Sequence, residues 1–91
     1  MNENEHDDSL LQFPTDFPIK IMGEQREGFA QAMIELVQRH AADFKPETLE
    51  MRASSSGKYL SLTCTIRATS KAQLDDLYRE ITAHPWVNMA L

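Results

Sequence analysis

The chain carries four alternating apolar–polar segments, and after the first and the third of them the apolar spacing lengthens. Phe17, Ile19 and Ile21 alternate with Pro18, Lys20 and Met22, the period of two that marks a half-buried strand. Gly23 ends that run. From Gln25 to Asp43 the apolar positions become Phe29, Met33, Leu36, Val37 and then His40 or Ala41, one stripe of an amphipathic helix. Glu35 and Arg39 lie four apart in the favourable order for a pair on its wet face. Pro46 marks the helix end.

Thr48 to Ala53 predicts a second strand, with Leu49, Met51 and Ala53 on one side. Ser54-Ser55-Ser56-Gly57 reads as a turn of small residues that tolerate hairpin geometry. The third strand has the strongest alternation. Leu60, Leu62, Cys64, Ile66 and Ala68 interleave with Tyr59, Ser61, Thr63, Thr65 and Arg67. Ser70 and Gln73 form a capping box that opens a second helix. It runs to Ala83, with Leu74, Leu77, Tyr78 and Ile81 inward and Asp75–Arg79 as an outer ion pair, and His84-Pro85 stops it. Val87, Met89 and Leu91, alternating with Trp86, Asn88 and Ala90, predict a last strand.

The order β-α-β-β-α-β, closed by right-handed crossovers, puts both helices on one face of a four-stranded antiparallel sheet. The expected fold class is therefore α+β, a ferredoxin-like sandwich. Phe17, Ile19, Ile21, Leu49, Met51, Leu60, Leu62, Cys64, Ile66, Val87 and Met89 are expected to face the helices. The opposite face of the sheet is left uncovered.

Composition adds a boundary to this picture. Ninety-one residues suit one domain. Five of the fourteen acidic residues fall in the first sixteen positions, where there is no Lys or Arg; the other nine are matched by nine basic residues. Residues 1–12 are accordingly expected to be an acidic tail, disordered at least over 1–9 because it has too little apolar surface to offset ordering. Residues 13–91 are expected to form the domain. The balanced remainder argues against nucleic acid, which selects an excess of Lys and Arg, and against anionic membrane surfaces. No apolar run has the length of a membrane span. The acidic N-terminus is unlike a signal peptide, and a lone cysteine fits a reducing compartment. The expected location is cytoplasmic.

Candidate chemistry is sparse. Cys64 stands alone and points into the expected core, as a plain core thiol does. His6, His40 and His84 have no metal-ligand spacing. Gly57-Lys58-Tyr59 begins like a base-stacking strand, but Ser61, Thr63, Thr65 and Arg67 follow without another aromatic. No Gly-rich loop precedes a helix, so a nucleotide cradle is missing. No catalytic residue, metal or cofactor is expected, and the chain reads as a non-enzyme. Surface remains. Lys20, Met22, Glu50, Arg52, Tyr59, Thr63, Arg67, Trp86 and Asn88 fall on the open face, and Tyr59, Arg67 and Trp86 are the candidate partner residues. The same face read as ordinary solvated surface needs no partner. The edge strands, 48–53 and 86–91, offer unpaired backbone for an unidentified protein partner or for a homodimer.

Several short segments also resemble one family. Phe13-Pro14-Thr15-Asp16-Phe17, Lys20-Ile21-Met22-Gly23, Ser56-Gly57-Lys58-Tyr59 with Ser61 and Thr63, Leu77-Tyr78, and Val87-Asn88-Met89-Ala90-Leu91 are similar to the YbeD-like bacterial proteins of the UPF0250 type. The resemblance covers residues 10–91. It implies an ACT-like ferredoxin fold, similar to regulatory domains of amino-acid biosynthetic enzymes, and no established reaction or ligand. In ACT domains the loop after the first strand often holds a glycine and helps to bind a small effector at a dimer interface. By that analogy Met22 and Gly23 are the candidate effector loop, and an amino-acid-like effector sensed by a dimer is the alternative function.

Overall fold

The computed structural model describes residues 11–91. Four strands form one antiparallel sheet: β1 (Thr15–Glu24), β2 (Glu50–Ala53), β3 (Tyr59–Ala68) and β4 (Val87–Ala90), in the spatial order β2-β3-β1-β4. Helices α1 (Phe29–His40) and α2 (Lys71–Ala83) cover one face. The β-α-β-β-α-β order and the two edge strands are those expected from the alternation.

Burying one face of the sheet against two apolar stripes makes the core. Ile19 and Ile21 of β1 and Leu62, Cys64, Ile66 and Ala68 of β3 meet Phe29, Met33, Leu36 and Val37 of α1 and Leu74, Leu77 and Ile81 of α2. Each element presents its apolar phase inward, so the layers close with no buried polar side chain among the described residues. Phe17 is half-buried at the rim, edge-on to Tyr78 at 6.5 Å. Leu11, placed by its sequence in the tail, is also half-buried and packs against this core. The acidic stretch within residues 1–10 lies outside the described residues.

Four local expectations are corrected. Helix α1 begins at Phe29, four residues later than Gln25, because Gly28 takes a left-handed conformation (φ 85°) and the Gln25 amide instead donates to Lys58 O at 2.8 Å, prolonging the sheet. It ends at His40, with Ala41 as its C-cap, and the chain folds back so that Phe44 is buried and Gln38 donates to the Phe44 carbonyl. β2 starts at Glu50 because Pro46–Thr48 forms a 3₁₀ turn in which the Thr48 amide and hydroxyl both reach Lys45 O. Met51 keeps the helix-side phase opposite Leu62 yet is 62% exposed, since it lies on the edge strand.

The fourth correction is the phase of β4. Met22 pairs with Met89, Ile21 with Ala90 and Gly23 with Val87, so the register slips between Met22 and Gly23. One extra residue at a bulge reverses the facing of everything beyond it. Val87 stays on the helix side, but Met89 turns to the open face and is 49% exposed, while Ala90 turns inward.

Side-chain pairing on the helices also differs from the simple i,i+4 expectation. Arg39 bridges to Glu80 of α2 at 2.6 Å and leaves Glu35 to Gln31. Asp75 pairs with Lys71, and Arg79 with Asp76. The helix-to-helix bridge ties two separate elements, whereas a pair within α1 would tie only neighbouring turns. The expected cap at Ser70 is present: its hydroxyl accepts from the Gln73 amide at 3.1 Å. The Gln73 side chain reaches past it, accepting from the Thr69 amide and donating to His40 O at the end of α1.

Candidate functional site

The uncovered face is a lattice of rows fixed by strand register. Arg52, Ser61, Met22 and Met89 make one row across all four strands. Glu50, Thr63 and Lys20 make the next, extended by Leu91, whose backbone exchanges two hydrogen bonds with Lys20. Tyr59 and Glu24 stand beyond the first row, and Asp16 and Arg67 close the far end with an ion pair of 3.2 Å.

This order sorts the candidate residues. Tyr59, 45% exposed, lies beside Met22, Met89, Asn88, Ser61 and Arg52 around a shallow concavity of about 490 Å³. Arg67 shares the face, but it is eight residues along β3, roughly 27 Å away at the rise of a strand. Its guanidinium is held by Asp16. Trp86 is not on the open face. It precedes β4 and is half-buried at the end of the sheet, with Arg26 stacked on its ring at 4.8 Å and His84 edge-on at 5.3 Å. Its amide donates to His84 Nδ1. The three proposed partner residues therefore do not form one surface.

Met22 and Gly23 also separate. Both belong to β1 and not to the loop that follows it. Met22 is part of the concavity. Gly23 is buried, and a Cβ there would strike the carbonyl oxygen of Trp86 and come within 2.9 Å of the Phe29 ring. Close approach of a neighbouring backbone is one of the standard demands for glycine, so this glycine is accounted for by packing.

What the open face gains instead is Met89. Strict alternation assigned it to the helices, and the bulge delivers it to Met22 and Tyr59. No local signal in Val87-Asn88-Met89-Ala90 announces the slip, because both phases of that segment are compatible with a strand. The resulting patch has two flexible thioethers and an amphipathic ring, side chains that adapt to an apolar partner, beside the guanidinium of Arg52.

Reactive groups are elsewhere. Cys64 is fully buried, and burial pushes its thiol up to about 11, away from the thiolate form a nucleophile needs. Tyr78 is raised for the same reason. The Glu80 carboxyl is held below its ordinary value by hydrogen bonds from Arg39 and then His40 Nε2, the latter at 2.5 Å. That cluster joins α1 to α2 on the covered side. Among the described residues, no group of three or more His, Cys, Asp and Glu could hold a metal ion, and no helix is long and apolar enough to cross a membrane.

Residues 8–91 match the family described as "Protein of unknown function (DUF493)". The chain belongs to the DUF493 family. Its relatives include UPF0250 proteins of Nitrosomonas europaea, 53% identical over 85 residues that span 93% of this chain and 98% of that one, and of Ralstonia nicotianae, 50% identical over 84 residues that span 92% and 87%. The resemblance drawn from the short segments is thus upheld. Among solved structures, DUF493 residues here superpose on a Helicobacter pylori protein with a TM-score of 0.72 and 16% identity, covering 89% of this chain and 85% of the other. The ACT domain from a GTP pyrophosphokinase of Chlorobium tepidum gives 0.63 and 18%, covering 84% of each. These likenesses establish the ACT-like ferredoxin fold for the DUF493 chain.

Proposed function

We propose that this DUF493 protein is a non-enzymatic, regulatory interaction module that docks a protein partner on the open face of its sheet, at Met22, Tyr59 and Met89. The observation that carries the reading is the exposure of Met89 and Tyr59 together on a face that no element among the described residues covers. Large apolar side chains grouped on one exposed patch mark contact sites more often than scattered ones do, and aromatic residues, Met and Arg are the types enriched where proteins touch. The buried thiol and the dispersed histidines support a role without catalysis. An amino-acid-like effector is the rival occupant, by analogy with ACT domains.

Capture from a bacterial lysate by the native chain and by a Met22→Ser/Met89→Ser variant tests the reading. The variant should lose a discrete protein band while keeping the native far-UV spectrum, and Arg67→Ala, at the far end of the same face, should keep that band. Loss with Arg67→Ala and not with the methionine pair contradicts the site. A melting temperature raised by amino acids, with no protein captured, favours the effector instead, because a ligand of the folded state alone stabilises it.

A further inference from the structure

β2 has a self-complementary outer edge. The Ser54 amide donates to Tyr59 O at 2.9 Å, closing the β2–β3 hairpin with a hydrogen-bonded pair. In an antiparallel ladder such pairs alternate with non-bonded ones, so Arg52 and Glu50 bond to β3. The N–H and C=O of Met51 and Ala53 point the other way, off the edge of the sheet. Leu49 offers its carbonyl there too, its own amide being taken by Pro46 O.

The charges on this edge read the same from both ends. Glu50 and Arg52 flank Met51 symmetrically, and both point to the open face, opposite Thr63 and Ser61. Among the described residues neither is in an ion pair. Met51 between them is 62% exposed on the helix side.

We infer that a second copy of this chain occupies the edge, β2 against β2 in antiparallel register about a two-fold axis through Met51. That register sets Glu50 of each copy opposite Arg52 of the other on the open face, twice over. It lets the two Met51 residues exchange both backbone hydrogen bonds and lets each Ala53 amide donate to the other copy's Leu49 carbonyl. The two Met51 side chains meet on the helix side and cover each other. A shift by two residues would oppose like charges or leave them unpaired, so the pattern selects one register. Alternating charge on an edge strand normally discourages pairing; here its palindromic order discourages strangers and accepts a copy of itself. β4, the other edge, has no charged residue between Val87 and Ala90, and so has no comparable register signal. Arg52 borders both the strand edge and the apolar patch of Met22, Tyr59 and Met89, whereas Glu50 and Met51 lie outside the patch, so substitutions at 50 and 51 remove the pairing without the patch.

Sedimentation velocity over a range of concentrations tests the inference. The native chain should form a concentration-dependent dimer that weakens with added salt. Glu50→Arg and Arg52→Glu alone should each weaken it by about tenfold or more, from two attractions turned into two repulsions, and the combined E50R/R52E chain should recover the native affinity. Met51→Pro removes an N–H that no bond among the described residues uses, so it should give a folded monomer. A native chain that stays monomeric at every concentration overturns the inference. So does a dimer indifferent to the single reversals, or one that the double reversal fails to restore.

Discussion

Gly23 of β1 lies against the carbonyl oxygen of Trp86, so close that a single methyl group at position 23 has no room. The Phe29 ring closes the same space from the helix side. Two backbones and a core aromatic therefore converge at the point where the β1–β4 register slips. Gly23→Ala should destabilise the fold by about 1–3 kcal/mol, the usual cost of overpacking a filled site. Urea denaturation measures it directly, and an unchanged midpoint would show that the strands part there without penalty.

The contact between the helices depends on pH in one direction. Arg39 and His40 lower the Glu80 pKa from its ordinary 4.5 by hydrogen bonding to the carboxylate. A carboxyl with a lower pKa in the folded chain than in the unfolded one stabilises the fold above the unfolded value, and that contribution is lost as the pH falls through the folded value. Glu80→Gln should therefore lower the melting temperature near neutral pH and make little difference at a pH acid enough to protonate the carboxylate in the folded chain. Equal effects at both pH values would mean that the side chain acts by packing alone.

The core should tolerate truncation poorly. Leu62 on β3 and Leu77 on α2 are both fully buried in one cluster. Leu62→Ala or Leu77→Ala should each cost about 2–5 kcal/mol in transfer energy and residual cavity, against a total stability of about 5–15 kcal/mol for a typical domain. Urea midpoints read this, and a native-like midpoint for either variant would contradict its placement.

The sequence was most legible where one face of an element is buried in full. In β3, five alternate positions from Leu60 to Ala68 could lie inward in only one phase, and the helical stripes of Phe29–Val37 and Leu74–Ile81 were equally restrictive. Legibility failed where facing depended on a partner strand. Met89 changed face because of a bulge written in the pairing of β1 with β4, and Trp86 was drawn to the Arg26 and His84 side chains before the strand began. Alternation alone puts Tyr59 and Met22 on the open face together with seven other residues. Their neighbourhood became visible only with the register, as did the distance separating both from Arg67. Charge pairing was the least legible of all: the spacing of Glu35 and Arg39 permitted a local pair, but the packing of α2 supplied Glu80 at 2.6 Å.

The central claim, a partner docked on the open face, is tested most directly by site-specific photocrosslinking in living bacteria. A photoreactive amino acid is placed singly at Met89, at Tyr59 or, as the comparison, at Asp75 on the exposed side of α2. Irradiation should give the same discrete adduct from positions 89 and 59 and none from 75. An adduct from position 75 alone, or none from 89 and 59 in cells where the chain is folded and abundant, would contradict the account.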